Sequence, residues 1–226
     1  MLTHTGIARI KENTACLVFE PDGHKYSVLG KEIMSVTTII GASGLSEYDK
    51  IAKENLAFAC ARGTLAHKIT EYVDAGIYDK RSADAITEDV KERYGIVCDF
   101  DGYARAYQKF LGDYEPEWEL KETPLYSPRW MYAGTPDRIG VINAKRYIVD
   151  IKTGETAPTA CVQLHAYSAM FNEIVPPKDR IQKKFVLFLK DNGEYKFVES
   201  EETYKGFRVE HVWMSAVTIA NCKRGK

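Results

Sequence analysis

The chain has 226 residues, enough for one domain with a sizeable core, and its 45% hydrophobic and 28% charged content is ordinary for a globular protein. The net charge of −1 excludes bulk electrostatic attraction to nucleic acid, so any such binding has to use a local patch. The sequence holds no run of about 20 apolar residues and so predicts no membrane span. The opening residues lack the apolar core of a signal peptide. Cys16, Cys60, Cys98, Cys161 and Cys222 are scattered without C-x-x-C pairing, which points to reduced thiols in a cytoplasmic protein.

In chain order, residues 15–20 and 25–29 read as two short strands joined by the turn Pro21-Asp22-Gly23, an N-terminal hairpin over residues 15–30 appended to the main fold. Ser35 to Ile40 is β-branched yet begins with a good N-cap and ends at Gly41, so strand and short helix both fit. A helical pattern starts at Glu47, with Arg62-Gly63-Thr64 predicted to interrupt it. A second helix then runs from Thr64 to about Ala75, carrying His67 and Glu71 four apart on one face. Ser82 can cap a helix through Val90, and 99–111 places Tyr103, Tyr107 and Phe110 on one stripe suited to a core.

Strand character returns over 117–126, with Trp118, Leu120 and Glu122 on one face. The runs Arg138–Ile142 and Arg146–Ile151, joined across Asn143-Ala144-Lys145, predict a hairpin. Residues 156–170 suit a helix, 184–189 and 195–198 two strands about the turn Asp191-Asn192-Gly193, and 201–222 a final helix. This alternation predicts an α/β domain spanning residues 1–226, with one central mixed β-sheet flanked by helices.

The chemistry concentrates between Ala133 and Tyr167. Asp150 and Lys152 are two apart on a strand, hence on one face, and the hairpin can bring Asp137 beside them. Buried acids without partners are costly, so such a cluster needs a cation or a hydrogen-bond network. Two carboxylates can hold Mg2+, with the Ile151 carbonyl as a further ligand, and a nearby lysine can orient water or offset transition-state charge. Read alone, His67 is more often a structural histidine than a ligand. Gln163 and Tyr167 could simply form one helix face.

Pro136-Asp137 followed by Asp150-Ile151-Lys152 resembles the PD-(D/E)XK nuclease motif in its aspartate form. Ala133-Gly134-Thr135-Pro136-Asp137 resembles the first acidic motif of RecB-type and phage-type members. Asp150 to Gly154 resembles their D-x-K-T-G, and Gln163 to Tyr167 their Q-x-x-x-Y. Arg62-Gly63-Thr64 with His67 is similar to the helical motif that supplies a metal-binding histidine. Ser35-Val36-Thr37 is similar to a stretch of phage exonucleases and the mitochondrial genome-maintenance exonuclease. The D-x-K triplet alone is weak; four motifs in family order are specific together.

The resemblance implies a restriction-endonuclease-like core and a Mg2+- or Mn2+-dependent DNA exonuclease acting in recombination, repair or phage DNA processing. It implies Asp137, Asp150 and Lys152 as catalytic residues, and His67, Asp137, Asp150 and the Ile151 carbonyl as metal ligands. Gln163, Tyr167 and Glu122 would support the site or contact DNA. The cysteine set of iron–sulfur relatives is absent, so no such cluster is expected. The implied partners are DNA and, in recombination, a single-strand annealing protein, in the cytoplasm or, for a phage-encoded chain, in that of its host. The alternatives are a structure-specific endonuclease and a non-catalytic DNA-binding module of the same fold.

Overall fold

The computed structural model describes residues 1–21, 23–46, 53–154 and 156–225. The chain begins with α1 (His4–Ala15), capped by the Thr3 side chain, which accepts from the Gly6 N–H. Then come β1 (Leu17–Glu20), β2 (Lys25–Val28), β3 (Lys31–Ser35) and α2 (Val36–Ala42). Ser35 ends β3 and caps α2 through the Thr38 N–H, so the stretch that suits either strand or helix is a junction of the two. The long α3 (Lys53–Asp74), α4 (Lys80–Tyr94) and α5 (Phe100–Tyr114) follow. Next are β4 (Glu117–Lys121), β5 (Leu125–Tyr126), β6 (Tyr132–Gly134), β7 (Arg138–Ile142) and β8 (Lys145–Lys152). The chain closes with α6 (Ala160–Ile174), β9 (Lys183–Leu189), β10 (Tyr195–Glu199), the short pair β11 (Thr203–Tyr204) and β12 (Phe207–Arg208), and α7 (Val209–Arg224).

The fold is α/β, with seven helices among the described residues, but its strands form two five-stranded mixed sheets where one was expected. One runs β1-β2-β3-β6-β5 and the other β10-β9-β8-β7-β4. The N-terminal hairpin is therefore no appendage. Its β2 pairs with β3, β3 pairs parallel with β6, and Tyr26, Val28 and Ile33 bury against Ala133. The strand expected across 117–126 breaks at Glu122, whose φ of 42° lies in the left-handed region, and its two parts join different sheets. Asp22, in the expected hairpin turn, and residues 47–52, where a helix was expected to begin, lie outside the described residues.

Helix boundaries also differ, among them α6, which begins at Ala160 and runs on to Ile174. α3 passes unbroken through Arg62-Gly63-Thr64, because its packing against α5 outweighs the roughly 1 kcal/mol disfavour of a helical glycine. α4 is capped by Asp79, whose side chain accepts from the Arg81 N–H, three residues before Ser82. α7 starts at Val209, because Lys205 (φ 50°) and Gly206 (φ 84°) turn the preceding residues into the β11–β12 hairpin.

The second sheet positions the site. β7 and β8 pair antiparallel through a two-residue turn with Asn143 and Ala144 both at positive φ. β8 pairs parallel with β9. Ile139 and Ile148 enter a core with α2, α6 and α7, while Val149, Ile151 and Leu187 enter another with α3 and α5. Tyr103, Tyr107 and Phe110 lie in that second core, as their stripe predicts. The end of β8 thus emerges between α6 on one side and α3 on the other. No described helix is long and apolar enough to cross a membrane.

Candidate metal centre

The β7–β8 register pairs Arg138 with Val149, and continuing it places Asp137 beside Asp150 at the strand ends. Asp137 is buried. Its Oδ2 accepts the Ile151 N–H at 2.6 Å, and its Oδ1 faces His67 Nδ1 at 3.7 Å. His67 arrives from α3 with Nε2 3.0 Å from the Ile151 carbonyl oxygen. A carbonyl only accepts, so Nε2 carries a proton and Nδ1 is the nitrogen turned to the carboxylates. Glu122 Oε1 lies 3.4 Å from that Nδ1. One ligand atom from each of His67, Glu122 and Asp137 lies within 4.8 Å of the others.

Asp150 and Lys152 share the α6-facing side of β8, the side that Asp137 also faces. Asp150 is 1% exposed. Lys152 Nζ forms an ion pair with Oδ2 at 2.7 Å, and it is the cation beside this buried carboxylate. Lys152 also reaches Gln163 Oε1 at 3.4 Å, and Gln163 Nε2 donates to the Tyr167 hydroxyl at 3.2 Å. Tyr167 is buried and its ring lies so close to Gly134 that any Cβ there would clash with it. Gln163 and Tyr167 therefore line up Lys152, and Gly134 of the Ala133–Asp137 stretch makes room for them.

The electrostatics follow from burial. Burial raises the Asp137 and Asp150 carboxyls above the usual range; for Asp150, Lys152 pulls the other way but the net is upward, to about 6. Burial alone would lower His67, yet the Asp137 and Glu122 carboxylates outweigh it and raise the imidazole to about 9. Among the described residues, Arg138 pairs with Asp74 and Glu122, and Lys152 with Asp150. The neighbouring carboxylates thus favour a protonated His67.

This arrangement fits a divalent cation. It offers oxygen donors and one imidazole with its second nitrogen anchored, an excess of negative charge, and a fully buried carboxylate paired with one lysine. His67, Glu122, Asp137 and Asp150 are the residues that would hold it. The Ile151 carbonyl, expected as a ligand, accepts the His67 Nε2–H in this arrangement.

Of the residues singled out in the sequence, His67, Glu122, Asp137, Asp150, Lys152, Gln163 and Tyr167 converge on this cleft. Glu71 does not; it pairs with Lys68 on the exposed face of α3 at 2.7 Å. Sequence reasoning missed Arg62, whose Nε donates to Thr153 Oγ1 at 3.2 Å just beyond Lys152. It also missed Arg138, which follows Asp137 directly and is 0% exposed. An arginine inside an otherwise apolar strand was the available signal, since such a charge requires partners. No protein-family model matches the chain, and no curated protein matches it.

Proposed function

We propose that this protein is a Mg2+- or Mn2+-dependent DNA nuclease of the PD-(D/E)XK type, acting as an exonuclease. The supporting observation is the convergence of His67, Glu122 and Asp137 beside the buried carboxylate of Asp150 and the ammonium of Lys152 paired with it. A bound divalent ion supplies Lewis-acid polarisation of a phosphoryl oxygen and makes water a better nucleophile. The chain's own residues do the rest. The Lys152 ammonium, held beside Asp150, would offer its charge to the phosphoryl group as negative charge grows. Gln163, held by Tyr167, fixes the direction of the lysine. His67 keeps its Nε2 proton on the Ile151 carbonyl and leaves Nδ1 to the ligand set.

The test is digestion of single- and double-stranded DNA, labelled at either the 5′ or the 3′ end, alongside a covalently closed circle, with Mg2+ or Mn2+. Labelled ends should be released as short products while the circle survives, and EDTA should stop the reaction. Lys152→Ala should lose roughly 10²–10³-fold or more in rate with its fold intact. Equal cleavage by Lys152→Ala and the parent overturns the mechanism, and cutting of the circle replaces the exonuclease by an endonuclease.

A further inference from the structure

The geometry points to Arg138 as the positioning residue of the metal centre. We propose that its guanidinium holds Glu122 and the Asp137 backbone against α3, so that the ligands from three separate segments keep one arrangement. The inference rests on the metal-centre reading above.

Alternation along β7 turns Arg138 away from the Asp137 side chain, toward the layer of α3 and α5. No part of it reaches solvent, and a buried guanidinium cannot shed its charge, so it must be satisfied in place. Nε donates to Asp74 Oδ2 at 2.8 Å and to the Tyr107 hydroxyl at 3.3 Å. Nη1 donates to Glu122 Oε1 at 3.1 Å and to the Asp137 carbonyl at 2.7 Å, and Nη2 to Thr70 Oγ1 at 3.0 Å. Thr70 passes the connection on, since its hydroxyl donates to the His67 carbonyl at 2.8 Å. Tyr107 is itself fixed, donating to Asp74 and accepting from Trp118 Nε1.

One planar group therefore touches the helix turn that carries His67, the side chain of Glu122 and the backbone of Asp137. Glu122 depends on it most. It sits beyond the end of β4 at φ 42°, a conformation costly for a residue with a Cβ, and its backbone N–H donates to the Asp137 carbonyl at 3.0 Å. Arg138 grips the Oε1 that also faces His67. Asp74 offsets the arginine's charge, so Glu122 keeps negative charge to offer a cation rather than spending it on the guanidinium alone. A lysine at this position presents a single ammonium, which cannot reach Asp74, Thr70, Glu122 and the Asp137 carbonyl together.

The test is calorimetric titration of Mn2+ into the parent, Arg138→Lys and Asp74→Asn, each shown to be folded by circular dichroism, with DNA affinity measured in EDTA. Arg138→Lys should bind Mn2+ about 10–100-fold more weakly than the parent. Its DNA affinity in EDTA should not change, because a fully buried side chain touches no substrate. Asp74→Asn keeps an acceptor for Nε but removes the balancing charge, and should weaken Mn2+ severalfold; it carries the test if Arg138→Lys does not fold. A lower melting temperature with parental Mn2+ affinity would mean that Arg138 serves only the core, and the proposal fails. A parent that binds no Mn2+ overturns the metal-centre reading and this inference with it, whereas normal parental binding with unaffected variants overturns this inference alone.

Discussion

At the start of α5, Asp101 is 5% exposed and accepts the Tyr78 hydroxyl at 2.5 Å, with Lys80 at 3.3 Å and a close pair to Arg105. At the end of β8, Asp150 is buried still further, and the partner beside its oxygens is Lys152 at 2.7 Å. Burial pushes both carboxyls upward. At Asp101 the Tyr78 hydroxyl, Lys80 and Arg105 outweigh it and hold the group below the usual range, while at Asp150 burial wins and the group rises. The same side chain is therefore a structural anchor in one place and a charge only partly relieved by its lysine in the other. The α5 site is complete with protein groups alone, whereas at the β8 site burial outweighs the pull of the one lysine beside the carboxylate.

The sharpest way to break this comparison is to remove each acid and measure stability in EDTA. Asp101→Ala strands the Tyr78 hydroxyl and loosens Lys80 and Arg105, and should cost about 2–3 kcal/mol, lowering the melting temperature by roughly 5–10 °C. If Asp101→Ala melts with the parent, its partners contribute nothing and the contrast collapses.

Asp150→Asn should act in the opposite direction. It replaces a buried charge by a neutral group of the same shape, and should stabilise the metal-free protein by about 1–2 kcal/mol after allowance for the lost Lys152 pair. Saturating Mg2+ should raise the melting temperature of the parent and leave that of Asp150→Asn nearly unchanged. Calorimetry that finds Asp150→Asn destabilised without metal would show that Asp150 is as well satisfied as Asp101.

What could be read in the sequence divides along similar lines. The β7–β8 hairpin was legible because its pattern is local: two strand-like runs, a short turn between them, and Asp150 and Lys152 on one face. Tyr103, Tyr107 and Phe110 were legible as core for the same reason. His67 is 84 residues from the Ile151 carbonyl it meets, and no spacing rule connects them; only the resemblance placed it. Glu122 was weakly marked because it depends on a left-handed backbone that no glycine or asparagine announces. The first sheet was invisible because β5 and β6 span two and three residues, too short for any periodicity. α1 was missed because its buried stripe is Gly6, Ile10 and Asn13, with one large apolar residue among them. Arg138 was read as part of a strand and not as a charge in need of partners.

The smallest effect is the one that tests both acids in a single titration. Asp150, raised from 3.8 to about 6 on folding, takes up a proton in the folded state before it does so in the unfolded state. Its contribution is therefore fully present below about pH 4 and is lost as pH rises through about 6, so acidification from pH 7 to pH 5 should stabilise the metal-free protein by about 1 kcal/mol. His67, raised to about 9, works in the same direction, since its contribution is present below 6.5 and fades as pH rises toward 9. Asp101 runs the other way. Its folded carboxyl lies below the unfolded one, so its contribution is present above about pH 4 and is lost as pH falls through its depressed value. Melting temperature in EDTA should thus climb from pH 9 to pH 5 and drop below pH 4. Asp150→Asn should flatten the climb between pH 7 and pH 5, and Asp101→Asn should shrink the acid-side drop. A parent profile that is level between pH 7 and pH 5 would mean that the Asp150 carboxylate meets no more resistance folded than unfolded, and the buried charge would no longer point to a cation.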